Sequence, residues 1–248
     1  MLNKKKYLDN KLTRTDKIGY DKAILFKNIY TENQIKLGKS YLPKGWHWIF
    51  FSENYQTNQL AEDGHPIRGS FLPKLEGYKR VFAASEIKFY ENFVFNTLVN
   101  KSSQIIAINS IKKKNTMLYL IDIKHIYKLK KKLLLEEKQK IAFVRNNYLS
   151  NRKRVFNFQN LKLVLSLKYN FNNMILFRYS ALTYNSHRIH YDLDYVKKYE
   201  GYNSLLVHGP LLANVILDNI KHKLQINLKE FKFRIFKPVF VNEDFSIK

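Results

Sequence analysis

Hydrophobic and polar positions divide the chain into two stretches of regular structure. Residues 80–145 hold short β-branched and aromatic runs between polar turns, which predicts an antiparallel sheet of about five strands. The runs are Val81–Ala83, Ile87–Tyr90, Ile105–Ile108, Met117–Ile121 and Ile141–Val144. Before them, residues 21–40 carry apolar positions at helical spacing, and residues 1–20 are polar. We expect residues 1–20 to be a loosely held or targeting segment.

The second half begins after a polar, basic segment, Asn146–Asn160, which we interpret as a linker. The pattern then predicts the strand Lys162–Leu167, helices at Asn172–Tyr184 and Leu193–Tyr199, and a last strand within Leu228–Phe240. Between them, Pro210–Ile220 is apolar around most of its circumference, so this helix should be buried. Pro210 suits the first position of a helix.

A buried helix against an antiparallel sheet is the hot-dog arrangement, and the element order suggests one such unit in each half. We therefore predict an α+β, double hot-dog fold with two antiparallel sheets, each wrapped around a central helix. The predicted units are a degenerate N-terminal hot-dog at 21–150 and a C-terminal hot-dog at 151–248 that carries the active site. The chain ends soon after the last strand, so we expect a shortened second sheet or a gap that another segment fills.

Composition narrows the chemistry. The 248 residues contain no cysteine, which excludes disulfides, thiolate catalysis and cysteine-ligated metals. No apolar run approaches the roughly 20 residues that span a bilayer. The formal net charge of +24 fits a nucleic-acid-binding protein, the Lys- and Asn-rich usage of an A/T-rich genome, or attraction to an acidic protein partner.

Candidate chemistry concentrates at the start of the buried helix, where His187, His190 and His208 fall close together with Asn185. A pair spaced like His187 and His190, without an obvious third ligand, is rarely a metal site, and we expect no metal. The set suits elimination of water beside a thioester carbonyl. That reaction needs a base for the α-proton, an acid for the departing hydroxyl and a donor for the developing oxyanion. A neutral histidine and a helix N-terminus that opens at Gly209 supply the first and the third.

The same residues carry a family resemblance. The segments Phe177–Asp192 and Leu206–Leu211, with Leu42–Trp48, Glu62–Gly64 and Gly69–Pro73 in the first half, resemble the MaoC-like hydratases. More narrowly, they resemble the fungal mitochondrial 3-hydroxyacyl-thioester dehydratases of type 2, a double hot-dog family. The resemblance spans roughly residues 35–247.

The resemblance implies reversible dehydration of (R)-3-hydroxyacyl thioesters to trans-2-enoyl thioesters in mitochondrial type II fatty acid synthesis. The carrier would be acyl carrier protein or coenzyme A, in the mitochondrial matrix, with no cofactor, no nucleic acid partner and a monomeric or homodimeric enzyme. It assigns catalysis to His190, Asn185 and Gly209. Substrate binding is expected from His187, Arg188, Asp192, His208 and Arg80.

Position 185 leaves the mechanism open, because broader hydratase families carry an aspartate there. An amide such as that of Asn185 orients water but cannot donate a proton as an acid. The segment Tyr78–Ser85 also departs from its relatives, and only Arg80 clearly matches. Two alternatives therefore remain: a non-catalytic hot-dog protein that binds acyl thioesters or acyl carrier protein, and a basic mitochondrial protein that binds nucleic acid.

Overall fold

A six-stranded antiparallel sheet organises the molecule. The computed structural model describes residues 2–29, 37–113, 116–145 and 167–247. The strands are β1 Lys11–Lys17, β2 Tyr78–Phe89, β3 Leu98–Lys113, β4 Thr116–Leu129, β5 Lys132–Arg145, β6 Leu167–Tyr169, β7 Glu230–Arg234 and β8 Phe245–Ile247. The large sheet has the order β1-β3-β4-β5-β2-β7, and β6 pairs with β8 in a separate two-stranded sheet.

The predicted antiparallel sheet is confirmed, and its central strands follow from the β-branched runs. Ile105, Ile121, Ile141 and Phe143 of β3, β4 and β5 are buried together in one cluster. Residues 80–145 supply four of the six strands, since the runs Val81–Ala83 and Ile87–Tyr90 lie on the one strand β2. The remaining two strands, β1 and β7, come from the ends of the chain.

The expectation of a loosely held N-terminal segment is wrong for β1. All seven of its residues pair with β3, from Lys11 opposite Gln104 to Lys17 opposite Leu98. Side-chain contacts add to the backbone pairing: Asp16 Oδ2 accepts the Phe51 N–H at 2.7 Å, and Arg14 pairs with Glu53 at 3.2 Å. Alternate residues of β1 are half-buried and none is fully buried, so the strand needs few apolar residues and leaves a weak sequence signal. A targeting role for the segment stays a prediction.

The α-helices of the described ranges are α1 Lys4–Tyr7, α2 Tyr20–Lys27, α3 Asn173–Thr183, α4 Leu193–Tyr195 and α5 Gly209–Leu224. The predicted helices at α3 and α5 are confirmed, and Asn172 caps α3 by accepting the Ile175 N–H at 3.0 Å. The helix expected over 21–40 already ends at Lys27, and 30–36 lie outside the described residues. No helix in the described ranges is long and apolar enough to cross a membrane.

The two halves share one core. Phe26 of α2 packs edge-on against Trp46 at 4.8 Å and also contacts Tyr179 of α3. The Trp46 indole N–H donates to the Asp218 carboxylate of α5 at 2.9 and 3.0 Å. Apolar side chains of α5, including Leu211 and Val215, are buried in the same cluster, as predicted for this helix.

The described strands of the second half, β6, β7 and β8, are short. The strand predicted within Leu228–Phe240 is β7, which covers only Glu230–Arg234 and extends the sheet of the first half by pairing with β2. Pro238 lacks a backbone N–H and so cannot continue the strand's hydrogen bonding. The predicted linker Asn146–Asn160, nearly all of the strand Lys162–Leu167 and the boundary at 150/151 lie outside the described residues.

Candidate active site

The structure brings together the three histidines that the sequence placed near the buried helix. Tyr184, the residue that follows α3, adopts the left-handed conformation (φ 54°). The chain then runs through His187 into a short turn at Arg188–His190. The rings of His190 and His208 stack with centroids 3.5 Å apart, while His187 meets His190 edge-on at 5.4 Å. All three side chains are buried.

The backbone fixes the tautomer of His190. Its Nδ1 lies 2.8 Å from the carbonyl oxygen of Leu206, and a carbonyl only accepts, so Nδ1 carries the hydrogen. The lone pair is therefore on Nε2. Burial lowers the pKa of His190 to about 4, partly offset by the Leu206 carbonyl and reinforced by the charge of His65. At neutral pH His190 is an uncharged imidazole with a basic Nε2, the form that a general base requires.

His208 packs against the ring of His190. It is the residue just before α5, and its Nε2 lies 2.9 Å from Ser180 Oγ on α3. Burial and the neighbouring His190 hold its pKa well below the usual range, so two stacked histidines avoid carrying two charges. Its buried Nδ1 has no hydrogen-bond partner among the described residues. A direct contact of His208 with substrate stays a prediction.

A side chain at position 209 would crowd two apolar side chains at the opening of α5. A Cβ on Gly209 would lie 2.9 Å from Ile235 Cδ1 and 3.2 Å from Phe82 Cδ1. The first N–H groups of any α-helix lack intrahelical acceptors, and Pro210 has no N–H. The first turn of this 16-residue helix therefore presents the N–H groups of Gly209 and Leu211, with the positive end of the helix dipole, next to the stacked histidines.

Asn185 shapes the histidine loop. The Asn185 side-chain Oδ1 accepts the backbone N–H of His187 at 3.0 Å, and the Asn185 backbone N–H donates to the Ser180 carbonyl at 2.8 Å. The amide oxygen is thus already engaged in a two-residue turn of the kind that Asn favours. A role in orienting water stays a prediction for this residue.

Arg188 and Asp192 are paired with each other. The guanidinium donates from Nε and Nη2 to Asp192 Oδ2 at 3.0 and 2.8 Å and stacks over Tyr195 with its Cζ 4.0 Å from the ring centroid. Asp192 Oδ1 also caps α4 by accepting the Tyr195 N–H at 2.9 Å. These contacts give both residues a structural role, and substrate binding by them remains a prediction.

Two residues that sequence reasoning did not assign come from the first half. His65 lies with its ring centroid 3.8 Å from that of His187, and Asp63 Oδ2 lies 3.3 Å from His65 Nδ1. Arg80 of β2 is also close to this group, and its charge lowers the pKa values of both His65 and His187. The signal available was the Asp-Gly-His triplet at 63–65, because the matched segment Glu62–Gly64 ends immediately before His65.

A metal would find three ligand atoms here, from Asp63, His65 and His187, all within 4.8 Å of one another. The local charge opposes a cation. Arg68 already forms an ion pair with Asp63, and Arg80 adds a second guanidinium beside the histidines. His190 is not part of this group, because its Nδ1 is taken by Leu206.

Comparison with known proteins identifies the family of the chain. The family model described as hydroxyacyl-thioester dehydratase type 2 matches residues 45–241, which include every site residue named above. The chain belongs to this family. Membership makes it a hydro-lyase of the hydratase and dehydratase class.

Individual relatives and solved structures support the assignment. The chain is 30% identical to a mesaconyl-C(4)-CoA hydratase of Chloroflexus aurantiacus over 81% of this chain and 72% of the relative. It is 26% identical to the mitochondrial hydroxyacyl-thioester dehydratase type 2 of Schizosaccharomyces pombe over 83% and 77%. A MaoC-like dehydratase of Phytophthora capsici superposes with a TM-score of 0.69 at 12% identity, covering 99% of this chain and 87% of that one.

The predicted double hot-dog fold is confirmed by these structures. A Mycobacterium tuberculosis protein described as having a double hot-dog fold superposes with a TM-score of 0.61 at 11% identity, over 96% of this chain and 82% of its own. At such identity the likeness concerns the fold alone. In the dehydratase chain described here, that fold joins Asp63 and His65 of the first half to the histidines of the second.

Proposed function

We propose that the enzyme catalyses the reversible dehydration of (R)-3-hydroxyacyl thioesters to trans-2-enoyl thioesters. One observation carries the proposal: His190 is a neutral imidazole whose Nδ1–H is fixed by Leu206, next to the N-terminus of α5. Base and oxyanion donor are the two groups that removal of an α-proton from a thioester needs.

The geometry supports a division of labour. His190 Nε2 takes the α-proton of the 3-hydroxyacyl group, and the N–H groups of Gly209 and Leu211 stabilise the negative charge that develops on the thioester oxygen. The Cα–Cβ double bond forms as the Cβ–O bond breaks, and the departing hydroxyl leaves as water after it gains a proton. His208 holds the His190 ring by stacking at 3.5 Å.

The carrier and the compartment follow from the relatives. The Schizosaccharomyces pombe relative is named as mitochondrial, and we infer a mitochondrial matrix enzyme of type II fatty acid synthesis. Its acyl groups would be presented on acyl carrier protein, with coenzyme A thioesters as alternative substrates. The net charge of +24 favours an acidic carrier protein, because opposite charges accelerate docking. A monomer or a homodimer is expected.

Replacement of His190 tests the proposal. We expect the wild type to hydrate crotonyl-CoA and His190→Ala to lose at least about 1,000-fold in kcat, in the range that loss of a general base causes. The measurement is the decrease of enoyl-thioester absorbance. A matched control is His222→Ala, which changes an exposed histidine in the last turn of α5 and should retain full activity.

The pH dependence gives a second readout of the same residue. Because the pKa of His190 is about 4 in the free enzyme, the base is uncharged at pH 6 to 8. In the dehydration direction, with 3-hydroxybutyryl-CoA as substrate, kcat/KM should therefore be flat in this range and fall only as the pH drops towards 4. An acid limb near 6.5, the pKa of an ordinary histidine, would contradict the buried base. A folded wild type that binds enoyl thioesters without hydrating any of them would favour the non-catalytic alternative that Asn185 motivates.

A further inference from the structure

We propose that Asp63 and His65 are the second proton-transfer unit of the active site, supplied by the first half of the chain and linked to His190 through His187. The inference rests on the proposed function and answers the question that Asn185 leaves open. Water must gain or lose a proton at the β-carbon, and the amide of Asn185 cannot supply it.

Asp63 is placed to orient His65 and to stabilise its charge. Asp63 Oδ1 accepts the backbone N–H of His65 at 3.0 Å, while Oδ2 lies 3.3 Å from the buried Nδ1, without a well-directed hydrogen bond. A carboxylate beside Nδ1 favours the hydrogen on that atom and leaves the lone pair on Nε2. Catalytic hydrogen bonds are often loose in the absence of substrate.

The loop that carries this pair is docked directly on the histidine loop. Gly64 has φ 82°, and a Cβ there would overlap the Ser186 carbonyl, so backbone lies against backbone. The Arg188 N–H donates to the Asp63 carbonyl at 3.0 Å, and Arg188 Nη1 donates to the Glu62 carbonyl at 3.2 Å. Such close docking fixes His65 against His187 without depending on the flexible part of either side chain.

The contacts make a continuous path. The His65 and His187 rings are 3.8 Å apart, and the His187 and His190 rings are 5.4 Å apart. The charge of His65 also lowers the pKa of His190, so the protonation states of the two are coupled. Proton transfer runs from nitrogen to nitrogen, so it requires the imidazole nitrogens of these packed rings to come within hydrogen-bond distance, directly or through water.

The positive charges around His65 oppose a divalent cation more strongly than a single transient proton. Burial and then Arg80 lower the pKa of His65 to about 4, against Asp63, which raises it, and Arg68 lowers it further. Burial raises the pKa of Asp63, but His65 and Arg68 hold it well below its usual range, so it stays charged. Glu53, His187 and His190 are the other titratable groups that face His65. A divalent cation would have to displace Arg68 from Asp63.

The reaction balances with one proton. In hydration, water adds its oxygen to Cβ and gives a proton to His65 Nε2, and Asp63 stabilises the imidazolium. The proton passes through His187 to His190, which returns it to Cα as the enolate electrons form the C–H bond. Dehydration is the reverse: His190 removes the Cα proton, and His65 protonates the leaving hydroxyl.

The test compares His65→Gln, His65→Ala and Asp63→Asn with wild type and His222→Ala in crotonyl-CoA hydration. Glutamine keeps hydrogen bonding and volume but cannot carry the proton, so we expect kcat to fall about 100-fold with KM within about threefold. For His65→Ala, added imidazole should restore activity, and substituted imidazoles should do so in the order of their pKa values. Asp63→Asn should lose about tenfold, at the lower edge of such effects.

Each possible outcome either supports or overturns the proton relay. Retention of kcat within about threefold in folded His65→Gln overturns the relay, and so does a loss in His65→Ala that no imidazole relieves. Zinc that binds the wild type one to one, is lost in His65→Ala and is required for activity would show a metal site instead. Melting temperatures establish that each variant is folded. If the wild type hydrates no enoyl thioester, the proposed function falls, and the relay falls with it; an active wild type with an unaffected His65→Gln sinks the relay alone.

Discussion

Two buried histidine clusters lie in the described part of the molecule, and they differ in the group that stands beside the imidazoles. In the first half, the fully buried Glu137 is surrounded by donors: Trp48 Nε1 at 2.9 Å, Ser85 Oγ at 2.7 Å, Gln139 Nε2 at 2.9 Å, and Tyr127 and His47 at 3.4 Å. In the second cluster, His190 and His208 stack on each other, and His208 Nδ1 has no partner among the described residues.

This difference indicates that the Glu137 cluster is structural and that the His190 cluster is the candidate for catalysis. Burial raises the pKa of Glu137, but the hydrogen bond and charge of His47, with His125 and Lys101, hold it well below its usual range. A carboxylate with five donors has no lone pair to spare and is a structural anchor. The second cluster keeps a basic Nε2 on His190, a positive helix end and a second imidazole close by. A basic imidazole beside a positive helix end distinguishes the candidate active site. Unpaired imidazole nitrogens do not, because they occur in both clusters, at His47 Nδ1 and His125 Nε2 as well as at His208 Nδ1.

Separating the loop that carries Gly64 from the histidine loop should lower kcat more than the other changes discussed below. We expect Gly64→Ala to push Ser186 and His187 away, since a Cβ would overlap the Ser186 carbonyl. A displacement near 1 Å in an active site costs on the order of 100-fold in kcat. The measurement is crotonyl-CoA hydration by the purified, folded variant.

Gly77→Ala is the matched control for that change. Gly77 is also left-handed, at φ 73°, but nothing lies within 4 Å of its missing Cβ. It should lose only the cost of left-handed backbone, about 1–2 kcal/mol of unfolding free energy, and keep its kcat. Equal activity in the two variants would show that contact with the histidine loop is irrelevant to catalysis.

The sequence predicted what depends on local pattern. The β-type runs, α3, α5 and the loop that carries His190 all have their signals within a few turns of chain. The polar edge strand β1 escaped notice because its stability comes from pairing with β3. His65 escaped because its partner His187 is far away along the chain, and only docking of the two loops brings them together. Long-range contacts leave no periodic trace in one sequence.

Breaking the first cluster should cost stability and leave catalysis intact. In Glu137→Gln the buried negative charge is lost and an NH₂ group is turned towards existing donors, so we expect a loss of about 3 kcal/mol in unfolding free energy. Denaturant unfolding measures it, and kcat per folded molecule should stay within about twofold. Glu136→Gln is the control, because Glu136 is half-exposed and pairs with Lys124 at 3.2 Å. Its cost should be below about 1 kcal/mol. A large drop of kcat in Glu137→Gln would erase the distinction between the two clusters.

The smallest expected effect concerns the rim of the second cluster, at Arg188. Arg188 and Asp192 form a partly exposed pair, so Arg188→Ala and Asp192→Asn should each cost less than about 1 kcal/mol of stability. If Arg188 also binds the thioester carrier, Arg188→Ala alone should raise KM, by about tenfold for a charge-assisted contact. Asp192→Asn keeps the cap on α4 and leaves the arginine in place, so its KM should not rise. Steady-state kinetics of both variants decide between these roles, because an equal rise of KM in the two would mean that Arg188 acts only by holding the loop with Asp192. In that case substrate recognition would belong to the inner groups alone.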